Sequence, residues 1–386
     1  MLPDLTPRLP DTGTNIFTVM SALAQECNAI NLSQGFPDFP IDPELIEWMR
    51  AAMTEGRNQY APMPGVPLLR QRIAEMISAT YGRTTDPDAE ITLTAGGTEA
   101  LYVSIAAFVG AGDEVIIFDP AFDTYDPAVR LCGGVPVHIN LSPPDFQIPW
   151  EKVEAAITPR TRMVIINSPH NPCSTVLGED DLNQLEALCS RYGLLVISDE
   201  VYERIIFDDL KHVGILGRPA LAPYAMAIFS FGKTFHVTGW KTGYVVAAPQ
   251  LTREVRRIHQ YLIFSCNTPA QYAFARYLEN PDHYRNLGSF YQQKRDFFRN
   301  QLEGSPFTPL PCSGSYFQLV SYKGFSEEHD RDLAIRLTRQ YGLATIPVSV
   351  FYQDQSDHHL LRLCFAKREE TLAAAGAILR SLTPGS

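Results

Sequence analysis

Short apolar runs alternate with longer stretches of helical periodicity between about residues 91 and 249. Runs of this length, rich in β-branched residues and separated by helical segments, are typical of a mostly parallel sheet that helices cover on both faces. The pattern therefore predicts an α/β fold. Six runs are predicted to be strands: 91–94, 115–118, 163–166, 194–197, 227–230 and 244–246.

Loops rich in glycine, proline and polar residues follow the first five of these runs. Ligands bind beyond the carboxyl ends of parallel strands, so the five loops are expected to converge on one crevice. Lys241 precedes the sixth run instead of following it. If Lys241 belongs to the same crevice, the sixth strand must run antiparallel. The five loops are 95–98, 119–122, 168–172, 199–202 and 231–233.

The end of the chain predicts a second, smaller α+β unit. Helical periodicity is present at 284–302 and 331–341, and short strands are predicted at 315–319 and 360–363. A chain of 386 residues also exceeds the size at which a single core usually stops growing. We therefore expect three parts: an N-terminal segment (1–40) that contributes to the small domain, a large domain (41–280) and a small C-terminal domain (281–386).

Composition narrows the class of protein. Hydrophobic residues make up 45% and charged residues 19%, as in ordinary globular enzymes, and the net charge of −11 opposes binding to nucleic acids and anionic membranes. The N-terminus lacks the pattern of a secretion signal and no run is apolar for long enough to span a bilayer, so a cytoplasmic location is expected. The seven scattered cysteines and the isolated His358-His359 pair predict reduced thiols and no metal site.

Lys233 is the candidate catalytic residue. It follows a buried strand and lies between Phe231 and Phe235, where loss of water would lower the pKa of its amine, as imine formation requires. The Gly232-Lys233 pair could also end a nucleotide-binding P-loop. That loop needs a glycine at position 227, where this chain has Ala227, and a helix directly afterwards. We therefore exclude the P-loop.

Other positions allow both a structural and a functional interpretation. Gly97 and Thr98 begin a helix after a strand, which suits phosphate binding or simply makes a tight turn. Asp199 is either a turn residue or the carboxylate that faces the ring nitrogen of pyridoxal phosphate (PLP). Asn171 fits a turn. Arg362 is either a surface residue or a bidentate partner of a substrate carboxylate.

Taken together, these residues resemble the class I family of fold-type I PLP aminotransferases over nearly the whole chain. The Gln-Gly-Phe-Pro-Asp-Phe and Gly-Lys-Thr-Phe segments look most like the branch of bacterial methionine aminotransferases and kynurenine aminotransferases. The resemblance implies a mostly parallel, mixed seven-stranded sheet flanked by helices, a smaller α+β domain, and a homodimer with shared active sites. The segments that carry it are 31–39, 58–60, 168–172, 198–202, 230–235, 239–244 and 362–366.

The resemblance also implies how PLP would be held. Lys233 would form the internal aldimine and move the proton between the substrate Cα and the cofactor. Asp199 would bind the ring nitrogen, Asn171 and Tyr202 the ring hydroxyl, and Phe122 would stack on the ring. The phosphate would be held by Gly97, Thr98, Ser230, Lys241 and, from a neighbouring subunit, Tyr60.

The substrates implied by the resemblance are an amino acid and a 2-oxo acid, with methionine preferred and other large apolar or aromatic amino acids following. The 2-oxo acid that accepts the amino group is left open. The substrate contacts would come from Phe17, Gly35, Tyr60, Asn171, Phe264 and Arg362. No arginine stands at Phe17, Tyr60 or Phe264 to neutralise a distal carboxylate.

Two alternative functions are compatible with the same PLP-binding residues or the same fold. A kynurenine aminotransferase or cysteine-S-conjugate β-lyase differs mainly in the pocket, where Phe17 and Ser265 replace the tryptophan and histidine of the kynurenine enzymes. A PLP-sensing transcription regulator would need a basic helix-turn-helix before about residue 30, and that segment has no room for one. We therefore expect no nucleic-acid partner.

Overall fold

The computed structural model describes residues 7–383, so residues 1–6 of the predicted N-terminal segment and residues 384–386 of the predicted C-terminal domain lie outside the described residues. The strands are β1 (Ile30–Asn31), β2 (Ile91–Thr94), β3 (Glu114–Asp119), β4 (Val135–Asn140), β5 (Thr161–Asn167), β6 (Leu195–Asp199), β7 (Ala225–Ser230), β8 (Gly243–Ala247), β9 (Thr308–Pro309), β10 (Phe317–Ser321), β11 (Leu343–Ala344), β12 (Ile346–Pro347) and β13 (Leu360–Cys364). The helices are α1 (Ile16–Glu26), α2 (Pro43–Thr54), α3 (Pro67–Tyr81), α4 (Gly96–Ala106), α5 (Tyr125–Leu131), α6 (Trp150–Ala156), α7 (Glu179–Tyr192), α8 (Phe231–Thr234), α9 (Pro249–Leu262), α10 (Thr268–Tyr277), α11 (Asp282–Arg285), α12 (Leu287–Leu302), α13 (Asp330–Tyr341) and α14 (Glu369–Ser381).

A mixed seven-stranded sheet, in the order β2-β8-β7-β6-β5-β3-β4, confirms the predicted α/β class. Strand β8 pairs antiparallel with both β2 and β7, whereas the other pairs in the sheet are parallel. Ser230 at the end of β7 pairs with Gly243 at the start of β8. The segment before β8, which carries Lys241, therefore reaches the same edge of the sheet as the loops that follow the parallel strands.

The central strands of the large sheet are buried on both faces. Along β7, Ala227 and Phe229 enter one hydrophobic cluster, whereas Met226 and Ile228 enter a second cluster. Successive side chains of a strand point to opposite faces, so the two clusters lie on opposite sides of the sheet. This arrangement explains why the central strands read as continuous apolar runs.

Strand β4 is the element of the sheet that the apolar pattern did not predict. Pro136 and His138 interrupt its run, and Val135 is 47% exposed. β4 pairs only with β3 at the edge of the sheet. An edge strand tolerates proline and exposed positions, so its sequence carries a weak strand signal.

The predicted smaller α+β unit is built around β10, which pairs antiparallel with β9 and β13, while β12 extends the sheet beside β13. β1 pairs in parallel with β11, and α1 packs against α13, so the N-terminal segment contacts this unit. The helical stretch expected from 284 is divided at Asn286 into α11 and α12. Among residues 7–383, no helix has both the length and the apolar character needed to cross a bilayer.

Candidate active site

The loops at this edge of the large sheet surround a cavity of about 440 Å3, a size suited to a small ligand. All five predicted strand-end loops contribute to its wall, together with Lys241 and parts of the smaller unit. The structure thus brings together most of the predicted site residues. Those that line the cavity are Phe17, Gly35, Gly97, Thr98, Phe122, Asn171, Asp199, Tyr202, Ser230, Lys233, Lys241 and Arg362.

Tyr60 and Phe264 are the two predicted site residues that do not line this cavity within one chain. Their side chains are 82% and 47% exposed. The two rings contact each other edge to face, with their centroids 5.5 Å apart. Both residues therefore lie on the surface of the single chain.

Lys233 lies in the short helix α8, directly after β7, and its amine borders the cavity. Its Nζ is 3.4 Å from the Gly35 carbonyl oxygen and 5.6 Å from the centre of the Tyr202 ring. Burial lowers the pKa of the amine to about 8, and the nearby Arg362 also lowers it. About half of the amines are then unprotonated at pH 8, as a nucleophilic amine requires.

Asp199 ends β6 and is 3% exposed. Its Oδ2 accepts a hydrogen bond of 2.7 Å from the Tyr125 hydroxyl. Burial raises the pKa of the carboxyl to about 6, while the Tyr125 hydrogen bond opposes that rise. A cationic ligand atom at this wall of the cavity would favour the charged form of the carboxylate.

Tyr125 is a positioning residue for Asp199, and replacing it with phenylalanine tests that role. A hydrogen bond to a charged group contributes roughly 1.5–3 kcal/mol, so its loss is expected to raise the pKa of Asp199 by about one to two units. If the reaction needs the carboxylate, the acid limb of the kcat/KM profile moves to higher pH by that amount. The measurement is the pH profile of Tyr125→Phe beside wild type, and an unmoved acid limb contradicts the role.

Two asparagines organise the loop that follows β5. The Asn167 Nδ2 donates to the Asp199 carbonyl oxygen at 2.8 Å, and its Oδ1 accepts from the Asn171 N–H at 2.7 Å. The Asn171 Oδ1 in turn accepts from Arg362 Nη1 at 2.7 Å. Because this oxygen is occupied by Arg362, the free amide nitrogen of Asn171 is the group left to donate to a ligand.

Arg362 lies on β13 and is 1% exposed. Its guanidinium donates to two uncharged acceptors, the Asn171 amide oxygen and the Ser33 carbonyl oxygen. Within the part of the chain that the structure describes, its buried Nε has no hydrogen-bond partner. Burial lowers its pKa to about 10. A buried cation with unused donor capacity on a cavity wall is suited to bind a carboxylate.

Aromatic rings surround the Arg362 guanidinium. Its central carbon lies 4.0 Å from the centre of the Phe317 ring and 4.9 Å from that of Phe17. Phe17 is held by the N-terminal cap of α1, where the Asn15 Oδ1 accepts from the Phe17 N–H at 2.7 Å. The rings restrict the guanidinium and give this part of the cavity an apolar wall.

The turn after β2 is shaped by glycine. Gly96 has a positive φ of 78°, and a Cβ there would lie 3.5 Å from Lys241 Nζ. A Cβ on Gly97 would lie 3.2 Å from Val201 Cγ1. The turn leads into the N-terminus of α4, where free backbone N–H groups and the Lys241 amine favour an anion.

Sequence reasoning missed four residues that the structure places at the site: Tyr125, Asn167, Tyr316 and Phe317. Asn167 is the last residue of β5, so the rule that strand ends carry ligand-binding groups could have found it. Tyr125 lies only three positions after Phe122. No sequence signal marked Tyr316, whose hydroxyl donates to the Gly35 carbonyl oxygen, 281 positions away along the chain, at 2.5 Å.

A family model, aminotransferase class I and II, matches residues 28–378. With this fold and this site, the chain belongs to the class I and II aminotransferases, and it is a PLP-dependent transaminase. It is 50% identical over 376 residues to the methionine aminotransferase of Escherichia coli, covering 97% of both chains. It is 32% identical over 409 residues to human kynurenine–oxoglutarate transaminase 1, also covering 97% of both.

The fold also matches solved structures. The Escherichia coli protein YbdL, whose crystal structure and reactivity identify a methionine aminotransferase function, superposes with a TM-score of 0.96 at 49% identity, covering 99% of this chain and 100% of that one. N-Succinyldiaminopimelate aminotransferase from Mycobacterium tuberculosis superposes with a TM-score of 0.95 at 34% identity, covering 98% and 100%.

The residues of the cavity fit PLP. The turn at Gly97, the Thr98 hydroxyl and the Lys241 amine offer donors suited to a phosphate. Asp199 offers a buried carboxylate suited to a protonated ring nitrogen. Lys233 offers an amine whose pKa is lowered to about 8. Donors, carboxylate and amine all border one cavity, as a single PLP molecule requires.

Proposed function

We propose that this protein transfers the amino group of methionine, and of other large apolar or aromatic amino acids, to a 2-oxo acid. The observation that carries the proposal is the shared cavity of Lys233 and Arg362, which offers a nucleophilic amine and a buried cation for a carboxylate. The 50% identity to the Escherichia coli methionine aminotransferase supports the choice of substrate.

PLP would bind covalently to Lys233 Nζ. Gly97, Thr98, Ser230 and Lys241 would hold its phosphate, while the ring would contact Phe122, Asn171, Asp199 and Tyr202. When bound, PLP supplies a ring that accepts electrons from the substrate Cα. Their placement around one cavity supports these assignments.

Lys233 would also move the proton. An amine with a pKa of about 8 can accept and return a proton near neutral pH, where general acid–base catalysis works best. Its Nζ faces the Gly35 carbonyl and the rings of Tyr202 and Tyr316. These groups keep bulk water away from the amine and direct it into the cavity.

Arg362 and the Asn171 amide would orient the substrate carboxylate, with the Gly35 backbone beside them. Phe17 and Phe317 would then face the substrate side chain as apolar walls. The lysine and arginine side chains that line the cavity are Lys233, Lys241 and Arg362, each with a role in this proposal. A second carboxylate on the substrate would lose water without gaining a partner, which disfavours aspartate.

A homodimer is part of the proposal. Tyr60 and the segment 261–264 expose large apolar side chains: Tyr261 is 88% exposed, and Leu262, Ile263 and Phe264 are each more than 40% exposed. Apolar patches of this kind mark interaction surfaces. A second copy would cover the patch, and Tyr60 and Phe264 would then reach the neighbouring site.

The domain limits and the location are also proposals. We propose that residues 1–40 join the small domain, that 41–280 form the large domain and that 281–386 form the small one. The pairing of β1 with β11 supports this division. A cytoplasmic location, without nucleic-acid or membrane partners, agrees with the net charge of −11.

The proposed substrate is tested by kcat/KM for methionine, phenylalanine, kynurenine and aspartate with one fixed 2-oxo acid. We expect methionine first, because sulfur–aromatic contacts contribute about 0.3–1.5 kcal/mol each, and aspartate at least about tenfold lower. Aspartate in first place would contradict this view of the pocket. Kynurenine in first place would assign the alternative, the kynurenine aminotransferase and β-lyase branch, and leave the roles of Lys233 and Asp199 unchanged.

A further inference from the structure

A buried pair, Glu99 and His259, lies beneath the turn after β2 and is not used by the site described above. The His259 Nδ1 is 2.6 Å from Glu99 Oε1, and its Nε2 is 3.1 Å from the Met63 carbonyl oxygen. The His259 side chain is 0% exposed and the Glu99 side chain is 6% exposed. A buried ionisable pair has a high desolvation cost, so its position calls for a physical reason.

The geometry determines how many protons the pair holds. A carbonyl oxygen can only accept, so His259 Nε2 carries a hydrogen and donates it to Met63. A second proton lies between Nδ1 and the carboxylate oxygen, because two acceptors would not approach to 2.6 Å. One proton is therefore shared between His259 Nδ1 and Glu99 Oε1, and the imidazole is held by hydrogen bonds at both of its nitrogens.

The pair connects the turn after β2, where the phosphate is proposed to bind, to the apolar patch formed by Tyr60 and residues 261–264. The other carboxylate oxygen of Glu99 accepts a hydrogen bond from the Ala95 N–H, at the start of the turn. Met63 lies three residues after Tyr60. The His259 carbonyl accepts from the N–H groups of Ile263 and Phe264, at 3.1 and 3.0 Å. The His259 imidazole thus contacts the turn through Glu99 and the Tyr60–Met63 segment through the Met63 carbonyl, while the 261–264 segment is bound by the backbone carbonyl of the same residue.

We propose that Glu99 and His259 form a positioning pair that couples cofactor binding to the association of two chains. The inference rests on the proposed function, which supplies the PLP and the dimer. Association of two chains would order the Tyr60–Met63 and 261–264 segments. The ordered segments would hold His259 in place. His259 would in turn hold Glu99 against the Ala95 N–H. By thermodynamic reciprocity, PLP must then tighten the dimer by the same factor by which the dimer tightens PLP.

The experiment measures the dimer dissociation constant with and without saturating PLP, using labelled chains at low concentration. For wild type, we expect PLP to tighten the dimer by about 5–150-fold, the usual range of coupling between sites. In His259→Gln this ratio is expected to fall at least about fivefold. Glu99→Gln keeps an acceptor for the Ala95 N–H but replaces the carboxyl oxygen that shares a proton with His259, and should lower the ratio likewise. The matched control is His358→Gln, whose ring packs on Tyr352.

The factor by which PLP tightens the dimer distinguishes a positioning pair from residues that only support the fold. Loss of simple structural support would weaken PLP binding or dimerisation, but it would leave this factor unchanged. A wild-type ratio retained in both Glu99→Gln and His259→Gln would overturn the inference. Wild-type protein that binds PLP and dimerises without any coupling would also overturn it. Wild-type protein that fails to bind PLP, or stays monomeric, would instead overturn the proposed function.

Discussion

Replacing Lys233 with alanine is expected to lower the rate of amino transfer by about 10⁴-fold or more, the upper range for loss of a positioned acid–base group. The amine has a pKa of about 8, and in the proposed mechanism its removal would eliminate the covalent attachment and the proton carrier together. PLP should still bind, because the phosphate donors and Asp199 remain. The measurements are single-turnover rates with methionine and equilibrium binding of PLP.

Lys241→Ala is the matched control for Lys233→Ala. Both residues are lysines on the wall of the same cavity, but Lys241 lies beside the phosphate turn at Gly96. The Lys241 variant should bind PLP more weakly and turn over at near-native rate once PLP is saturating. Near-native amino transfer by Lys233→Ala would show that the catalytic assignment is wrong.

Replacing Asp199 with asparagine is expected to give the second largest loss, about 10²–10³-fold in kcat, as for other preorganised electrostatic partners. The amide fills the same space but cannot hold a proton on the ring nitrogen by charge. The loss of PLP affinity should be much smaller than the loss of rate. The measurement is kcat at saturating PLP beside the dissociation constant of PLP.

The stability of the cofactor-free variant controls for damage to the fold. Burial raises the pKa of Asp199 to about 6, above the ordinary value for an unfolded chain. The folded state therefore binds this proton more tightly, and stability is lost as pH rises through about 6. Asp199→Asn removes that penalty, so its melting temperature at pH 8 should not fall. An Asn variant with wild-type kcat would contradict the proposed role.

The fold could be predicted where strands are buried on both faces. Strands β5, β6 and β7 read as continuous apolar runs because helices cover both sides of the sheet. Strand β4 could not be predicted in this way, since an edge position accepts Pro136 and an exposed Val135. The apolar run predicted strand β8 itself, but its antiparallel direction followed only from the condition that Lys241, which precedes the strand, belongs to the crevice.

The site could be predicted where residues follow strands directly. Asp199 and Lys233 satisfy that rule, and both line the cavity. Tyr125 and Tyr316 could not be found, because their roles depend on hydrogen bonds to Asp199 and Gly35 that form only after distant segments pack. The Glu99–His259 contact joins residues 160 positions apart, and neither local sequence marks it.

Tyr60 shows a different limit of sequence reasoning. Its predicted place is in a neighbouring site, and the single chain leaves it 82% exposed. A surface tyrosine and an interface tyrosine look alike in sequence. The exposed patch that it forms with Phe264 is a feature of the folded chain, and only the fold brings the two rings together.

Amino transfer itself is tested most directly by one half-reaction of the PLP-loaded protein. Methionine is added without any 2-oxo acid acceptor, and the products are measured per chain. The account predicts one equivalent of the 2-oxo acid derived from methionine, no free ammonia, and further product only after an acceptor 2-oxo acid is added. Ammonia that accumulates over many turnovers without an acceptor would contradict amino transfer and indicate an elimination reaction.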